Sequence, residues 1–411
     1  MANTLVTAQW VTKEVARGFV NKSVFWSQVN RTYDDAYRVN GAKVGNTVLA
    51  RLPQRFTVTD GQALQLQPIL NQTVPITLTN QKNVAFSWSS QQATTELDAI
   101  RENTTDPGGA ALAGAADVLL FSAVYRDVYQ AVGTLGTTPS ATLTYLQAGV
   151  KLTDAGAPTG DRKSVLDTLA MATVANTSST LFNPSAVISE NYKEGMFGRK
   201  QLGIDEWFQD PNTPVHTSGT FTASTPVISG AGQTGSTIST TGWASGASTL
   251  KKGDILTIAG VNAVNPVSYT SKGRLQQFVV TADTSDSSGA MATLPISPSI
   301  VTSGQLQTVD ASPANGAAIT VWSANPAGGT LATTTSPQSL VFHPDAFAAV
   351  MADLTTDIKG AEATRVSSPM RGFSIRLVEQ FQILTDQNPS RLDILIGAAT
   401  LQARLAVRVV G

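Results

Sequence analysis

The sequence predicts an α+β protein that carries an all-β insertion. Three features point there. Pro107 to Val132 reads as one long apolar helix, Val74 to Trp88 has the period-2 alternation of strands, and the composition changes abruptly between Asn212 and Pro344.

The helix has both of its end signals. Asp106-Pro107 offers an acidic cap followed by a proline at the first helical position, where its missing N–H is not needed. Gly133 offers the stop. Gly109 to Val132 would span roughly 35 Å. Leu112, Ala115, Leu119 and Ala123 form one apolar row, and Val118, Phe121, Tyr125 and Val128 a second, which predicts burial on more than one side. A membrane span is excluded by Asp117, Arg126 and Asp127, because the run they leave, Val118 to Tyr125, is too short.

Composition narrows the function. The formal charge of the 411 residues is −1, so no overall field recruits nucleic acid or a membrane. Charged residues make up 14% of the chain, against a usual quarter, as in proteins that hide surface in an assembly or in a Ser/Thr-coated β protein. With no cysteine, disulfides and thiolate metal sites are impossible. The N-terminus lacks a basic segment followed by an apolar one, so the expectation is an intracellular product without a secretory signal.

In chain order, Trp10, Val11, Val15 and Phe19 fall on one helical face, with Lys13, Glu14 and Arg17 on the other. Between Met1 and Phe56, eight basic residues stand against three acidic ones. That excess reads either as a solvated helix face or as an arm that docks on a neighbour or faces a polyanion. Val44 to Leu52 reads as a strand, Val58-Thr-Asp60-Gly61 as a turn, and Leu64 to Leu70 as a long exposed loop, mobile or held by another subunit. Val74, Ile76 and Leu78, then Val84, Phe86 and Trp88, predict a hairpin turning at Asn80 to Asn83, with Pro75 marking an edge strand.

Beyond the long helix, Thr138-Pro139 opens a second helix through Leu146. Asp161 to Ala175 reads as a third, with Val165, Leu166, Leu169 and Val174 on its apolar face. Ser189 to Trp207 is punctuated by glycine, and Asp210 to Pro214 marks a boundary. From Asn212 to Pro344 the charged residues are Lys251, Lys252, Asp254, Lys272, Arg274, Asp283, Asp286 and Asp310. Strand-like runs at Thr220–Ser229, Asp254–Ala259, Leu275–Thr281 and Ala318–Ser323 suit a small sandwich or barrel. Ile255, Ile258, Phe278, Val279, Val280, Ile319 and Trp322 supply a core that a linker would not need. Afterwards a helix is expected from Asp345 to Leu354. Alternating runs follow at Phe373–Leu377 and Phe381–Leu384, then strands at Arg391–Gly397 and Ala403–Val410.

Motifs for chemistry are scarce. His216 and His343 have no zinc-type spacing, and there is neither a Gly-x-Ser-x-Gly nor a Walker loop. Gly230-Ala-Gly232-Gln-Thr-Gly235 matches a dinucleotide fingerprint, but the Ser/Thr run after it is poor material for the helix such a site requires, so it reads as a loop. Asp34-Asp35 reads as a solvated pair. No catalytic, cofactor or metal residue is assigned.

Several stretches, in order, resemble the major capsid proteins of tailed bacteriophages, above all the coat proteins of short-tailed Salmonella-type phages. They are Val58–Gly61, Gly195-Met-Phe-Gly-Arg199, Lys252–Pro266 with Leu275–Thr281, Leu340–Phe347 and Arg391–Gly397. The resemblance covers nearly the whole chain. It implies the phage capsid (Johnson) fold: an N-terminal arm (1–45), an extended hairpin loop with peripheral strands (46–90), a peripheral domain with the spine helix (91–137) and an apical domain (138–212). An immunoglobulin-like or barrel insertion (213–339) and a return with C-terminal strands (340–411) complete it. It further implies a non-enzymatic coat protein that self-assembles as hexamers and pentamers into an icosahedral virion shell. The implied partners are a scaffolding protein, a portal protein at one vertex and double-stranded DNA held on the inner face without sequence specificity; assembly is in the host cytoplasm, with no membrane and no cofactor. On the same basis the insertion helps the subunit fold and stabilises immature shells. Its few charges gather in Lys251, Lys252, Asp254, Lys272 and Arg274, which read either as contacts between capsomers or as the groups that keep a neutral domain soluble. The alternative is a Ser/Thr/Gly-rich surface adhesin or carbohydrate-binding β protein, against which the missing signal peptide argues; an enzyme ranks third.

Overall fold

The computed structural model describes residues 8–32, 47–59, 61–62, 64–89, 104, 106–178, 202–220, 225–322, 333–368 and 373–410. Its helices are α1 (Ala8–Lys22), α2 (Phe25–Gln28), α3 (Asp106–Val124), α4 (Thr142–Asp154) and α5 (Thr168–Ser178). Its strands are β1 (Thr47–Arg51), β2 (Thr73–Ser89), β3 (Ala131–Gly133), β4 (Lys163–Leu166), β5 (Glu206–Gln209), β6 (Val215–Thr217), β7 (Val227–Ile228), β8 (Gly235–Thr241), β9 (Thr249–Leu250) and β10 (Ile255–Val264). They continue with β11 (Ser271–Val280), β12 (Thr284–Ser285), β13 (Ala290–Ile300), β14 (Ile319–Val321), β15 (Thr335–Phe342), β16 (Phe347–Met351), β17 (Glu362–Ser368), β18 (Phe373–Glu379), β19 (Gln387–Thr400) and β20 (Ala406–Val410). Asp34-Asp35 and the Gly195–Arg199 motif lie outside the described residues, as does the side chain of Trp10.

One unit comprises Met1–Arg51, Thr73–Phe121 and Phe347–Leu401. Its sheet runs β1-β2-β19-β18-β17, with β16 also on β19. Among the described residues, the helical part of the N-terminal segment packs on its own chain. Val11, Val15 and Phe19 are buried, α1 lies against β17 and β18, and the Phe19 ring sits 6.3 Å from Phe373. Phe25 stacks on Phe121 with centroids 4.2 Å apart. The bland reading of the basic excess, a solvated helix face, is what Lys13 and Arg17 show: both are exposed.

The predicted hairpin is instead a single strand. β2 runs through Asn80–Asn83 without turning; Thr73–Thr77 pair with β1, and Leu78–Ser89 with β19. The polar residues read as a turn face solvent while their backbone pairs with Asp393–Ile396. Pro75 lies opposite Leu49 in the second strand of the sheet, not in its edge strand. The helix expected from Asp345 is a 3-10 turn at Pro344–Ala346 followed by β16, whose five residues are all buried. Phe381, Ile383 and Leu384 fall outside the strands, on the connection between β18 and β19.

The long helix is shorter than predicted. It ends at Val124, a 3-10 turn covers Tyr125–Asp127, and the chain then extends into β3. Burial follows one stripe, Leu112, Ala113, Ala116, Asp117, Leu120, Phe121 and Val124, whereas Val118 is 45% exposed, so two-sided burial does not hold. Rows rich in alanine expose too little apolar area to force a second buried face. Gly133 is required for a different reason than a helix stop: at φ +102° it ends β3, and a Cβ there would lie 2.0 Å from the carbonyl oxygen of Val410.

The second unit comprises Leu52–Gln72, Ser122–Ala346 and Gln402–Gly411. Its first sheet has the order β3-β20-β15-β4-β5, with β6 also on β15. α4 begins later than predicted and runs on to Asp154 against β20 and β3. The predicted third helix divides: Val165 and Leu166 are buried strand residues of β4, and only α5 is helical. Leu169, placed on the apolar face, is 58% exposed.

The second sheet has the order β14-β10-β11-β13-β8-β7. It closes on itself: Ile228 N–H donates to Ala317 O (3.0 Å), Gly316 N–H to Ile228 O (2.9 Å) and Ile319 N–H to Pro226 O (2.9 Å). Strand alternation sends Leu256, Ile258, Phe278 and Val280 inward with Trp243, Met291, Leu294 and Ile296. The residues one step away, Ile255 and Val279, turn outward and pack with Ala131, Tyr129 and Trp322. Gly230–Gly235 leads into strand β8, not a helix.

Candidate assembly surfaces and the buried junction

The described residues of Leu52–Gln72 form no regular strand, yet the stretch is tied across its width. Leu52 N–H donates to Gln72 O (2.9 Å) and Gln54 Nε2 to Asn71 Oδ1 (3.2 Å). Gln67 spans the two limbs, accepting from Thr57 N–H (2.9 Å) and donating to Thr57 O (2.5 Å). Outside these ties the ribbon displays apolar side chains: Val58 is 92% exposed, Leu64 and Leu66 are 86%, and Ile69 is 70%. A second such surface is the β18–β19 connection, where Ile383 is 85% and Leu384 99% exposed. Clustered exposed apolar groups mark surfaces that another protein covers.

At the other extreme is a buried polar cluster. β6 pairs with Thr335–Pro337 of β15, and this two-stranded neck carries His216. His216 Nε2 donates to Asp254 Oδ1 at 2.8 Å, while Asp254 Oδ2 accepts from Gly219 N–H (2.9 Å) and Lys251 N–H (2.8 Å). The Tyr125 hydroxyl, which accepts from Arg126 Nε at 3.0 Å, lies 3.5 Å from His216 Nδ1. Arg408 of β20 is 1% exposed and donates to Gly253 O at 2.7 Å. Burial pulls Arg408 down to about 10, against the opposing pull of Asp254, Tyr125 and Asp127. The Gly253 carbonyl and the neighbouring Asp254 carboxylate offset part of the cost of burying this guanidinium.

The charged residues expected to reach other capsomers are engaged within the chain. Asp254 is 5% exposed, so its reading as a surface contact is corrected. Lys272 Nζ lies 2.6 Å from Asp154 Oδ1, and Arg274 shares that carboxylate through Oδ2. Lys252 lies 3.8 Å from Asp127, and Lys251 lies 4.0 Å from Asp283. Behind them Lys151 donates to Ala131 O (2.7 Å) and Gln277 Oε1 (2.5 Å), and burial, with the charge of Arg274 second, lowers it to about 8. His343 sits 3.5 Å from Asp345, away from the cluster of His216. Sequence reasoning missed the Tyr125–His216–Asp254 cluster, whose members are far apart along the chain and match no motif. Among the described residues no three His, Asp or Glu side chains are grouped to hold a metal.

Loops that display clustered apolar side chains are a feature of a subunit whose surface another protein covers. Comparison with known proteins identifies the assembly. Similar solved structures include one from Mycobacterium phage Che8, with 14% identity over 94% of this chain and 90% of that one and a TM-score of 0.46. Another is the capsid of cyanophage P-SCSP1u, with 12% identity over 89% and 83% and a TM-score of 0.40. The CUS-3 coat protein I-domain is 29% identical over 24% of this chain and 96% of that one, with a TM-score of 0.19. No curated protein sequence matches. The family model for P22 coat protein, gene protein 5, matches residues 1–411, and the chain belongs to that family. It is a major capsid protein of a tailed phage, a structural component of the virion that builds the icosahedral shell, and not an enzyme.

Proposed function

We propose that this subunit assembles as hexamers and pentamers, with α3 as the spine of a Johnson fold and residues 213–339 as an inserted β domain on the outer face. Residues 52–72 form the extended loop, which lies along an adjacent copy. A scaffolding protein guides assembly in the host cytoplasm, a portal protein occupies one vertex, and packaged double-stranded DNA meets the inner face without sequence specificity. The observation that carries this reading is the closed sheet of residues 227–321: it has a core of its own, and the chain enters and leaves it beside the pairing of β6 with Thr335–Pro337. An insertion whose ends meet perturbs its host little.

Expression of residues 213–339 alone tests it. A β-type circular dichroism spectrum with one cooperative melting transition is expected; a random-coil spectrum would make the segment a tether dressed by its host.

A further inference from the structure

The ribbon at residues 52–72 is held partway along its length, at Gln67 and Pro68. Gln305 Nε2 donates to Gln67 Oε1 at 3.0 Å and to Pro68 O at 3.2 Å. Gln305 lies on the connection between β13 and β14, a platform fixed by its own hydrogen bonds. Tyr269 Oη donates to Gln305 O (2.9 Å), Thr308 N–H to Val301 O (2.9 Å) and Thr308 Oγ1 to Ser299 O (2.6 Å). Gln67 therefore faces two ways, bracing Thr57 across the ribbon and receiving Gln305 from the platform.

What this contact leaves free is as informative as what it holds. All of the ties are polar, whereas Phe56, Val58, Leu64, Leu66 and Ile69 remain exposed. The stretch carries one cation, Arg55, and one anion, Asp60, so it offers nothing to a polyanion and suits an uncharged protein surface. In a shell built of this chain, that surface belongs to a second copy.

We propose that Gln305 is a strap that presents residues 52–72 in a binding-ready position, so that a second copy meets a loop already ordered. Ordering a loop at the moment of contact subtracts from the binding free energy, and rigidity installed beforehand removes that loss. The inference rests on the reading that this loop lies along an adjacent copy. It adds that the β13–β14 platform of the same chain sets the loop's position before contact.

The test uses the full chain. In Gln305→Ala subunits the melting temperature is expected to stay unchanged while the Thr57 amide exchanges faster. The concentration of subunit left unassembled at equilibrium should rise roughly fivefold, the worth of about one net hydrogen bond. The chain has no cysteine, so Gln67→Cys/Gln305→Cys can be bridged by a short bis-maleimide without side reactions. Bridged subunits are expected to assemble at least as well as unbridged ones. Assembly of Gln305→Ala at the wild-type residual concentration overturns the proposal, and so does a bridged subunit that no longer assembles. Leu66→Asp tests the underlying reading separately: normal shells from that variant would remove the loop from the interface whatever the strap does. Should Gln305→Ala fail to fold, the bridged subunit still decides the matter.

Discussion

Asp117, in the middle of α3, accepts the backbone N–H of Trp26 at 2.7 Å, and its second oxygen accepts that of Val24 at 2.8 Å. The carboxylate is wholly buried and caps the start of α2 from another element. Asp117→Ala leaves the buried Trp26 donor and the half-buried Val24 donor without this acceptor and is expected to destabilise the subunit by about 3 kcal/mol. Urea unfolding of dissociated subunits measures it, and a loss below about 1 kcal/mol would show that other partners suffice.

Gly109 and Gly108 separate close packing from helix propensity. A Cβ at Gly109 would lie 2.6 Å from Val15 O and 3.2 Å from Phe19 N, both backbone atoms of α1, while one at Gly108 would meet a Leu392 methyl at 3.4 Å. Gly109→Ala should cost about 2 kcal/mol through displacement of α1, and Gly108→Ala should fall within about 0.5 kcal/mol of wild type. Equal melting temperatures for the two variants would reject this account.

Asp254 gathers His216, Gly219 N–H and Lys251 N–H beside the buried Arg408. Asp254→Ala strands several buried donors at once and is expected to cost roughly 3–5 kcal/mol. A melting temperature within a few degrees of wild type would mean that the cluster relaxes without it.

Lys151 gives a pH dependence of known sign. Desolvation of its half-buried side chain, with the charge of Arg274 second, lowers it to about 8 in the folded subunit, below the ordinary lysine value. Below that pH both states hold the proton, and the folded state bears the full cost of a buried ammonium. Between there and the unfolded value of about 10.4, the unfolded chain binds more protons, so this lysine's contribution to stability rises with pH. Lys151→Met removes that slope. Urea midpoints from about pH 7 to about pH 10 should move in favour of wild type relative to the variant, and a constant difference rules the effect out.

Assembly itself should register as stability. Contacts that exist only between folded copies shift unfolding by mass action, so shells are expected to melt above dissociated subunits. Scanning calorimetry of the two forms checks this, and coincident transitions would contradict it.

The sequence by itself determined the features that rest on a few neighbouring residues. The Asp106-Pro107 start and helical content of α3 follow from local chemistry, as do the strands at Ile255–Ile258 and Phe278–Val280 and the non-helical course of the Ser/Thr run after Gly235. So does family membership, carried by short motifs in a fixed order. Tertiary structure decided the rest. β2 runs straight through Asn80–Asn83 because β19, some three hundred residues later, supplies partners for that backbone. Phe347–Met351 is a strand because β19 pairs with it, although five consecutive apolar residues have no period by which to tell strand from helix. His216 and Asp254 meet only when the neck closes. Local propensity acts over a turn or two of chain, whereas strand pairing and the partnering of buried charge are settled by whichever distant segment can satisfy the backbone and the charge at once.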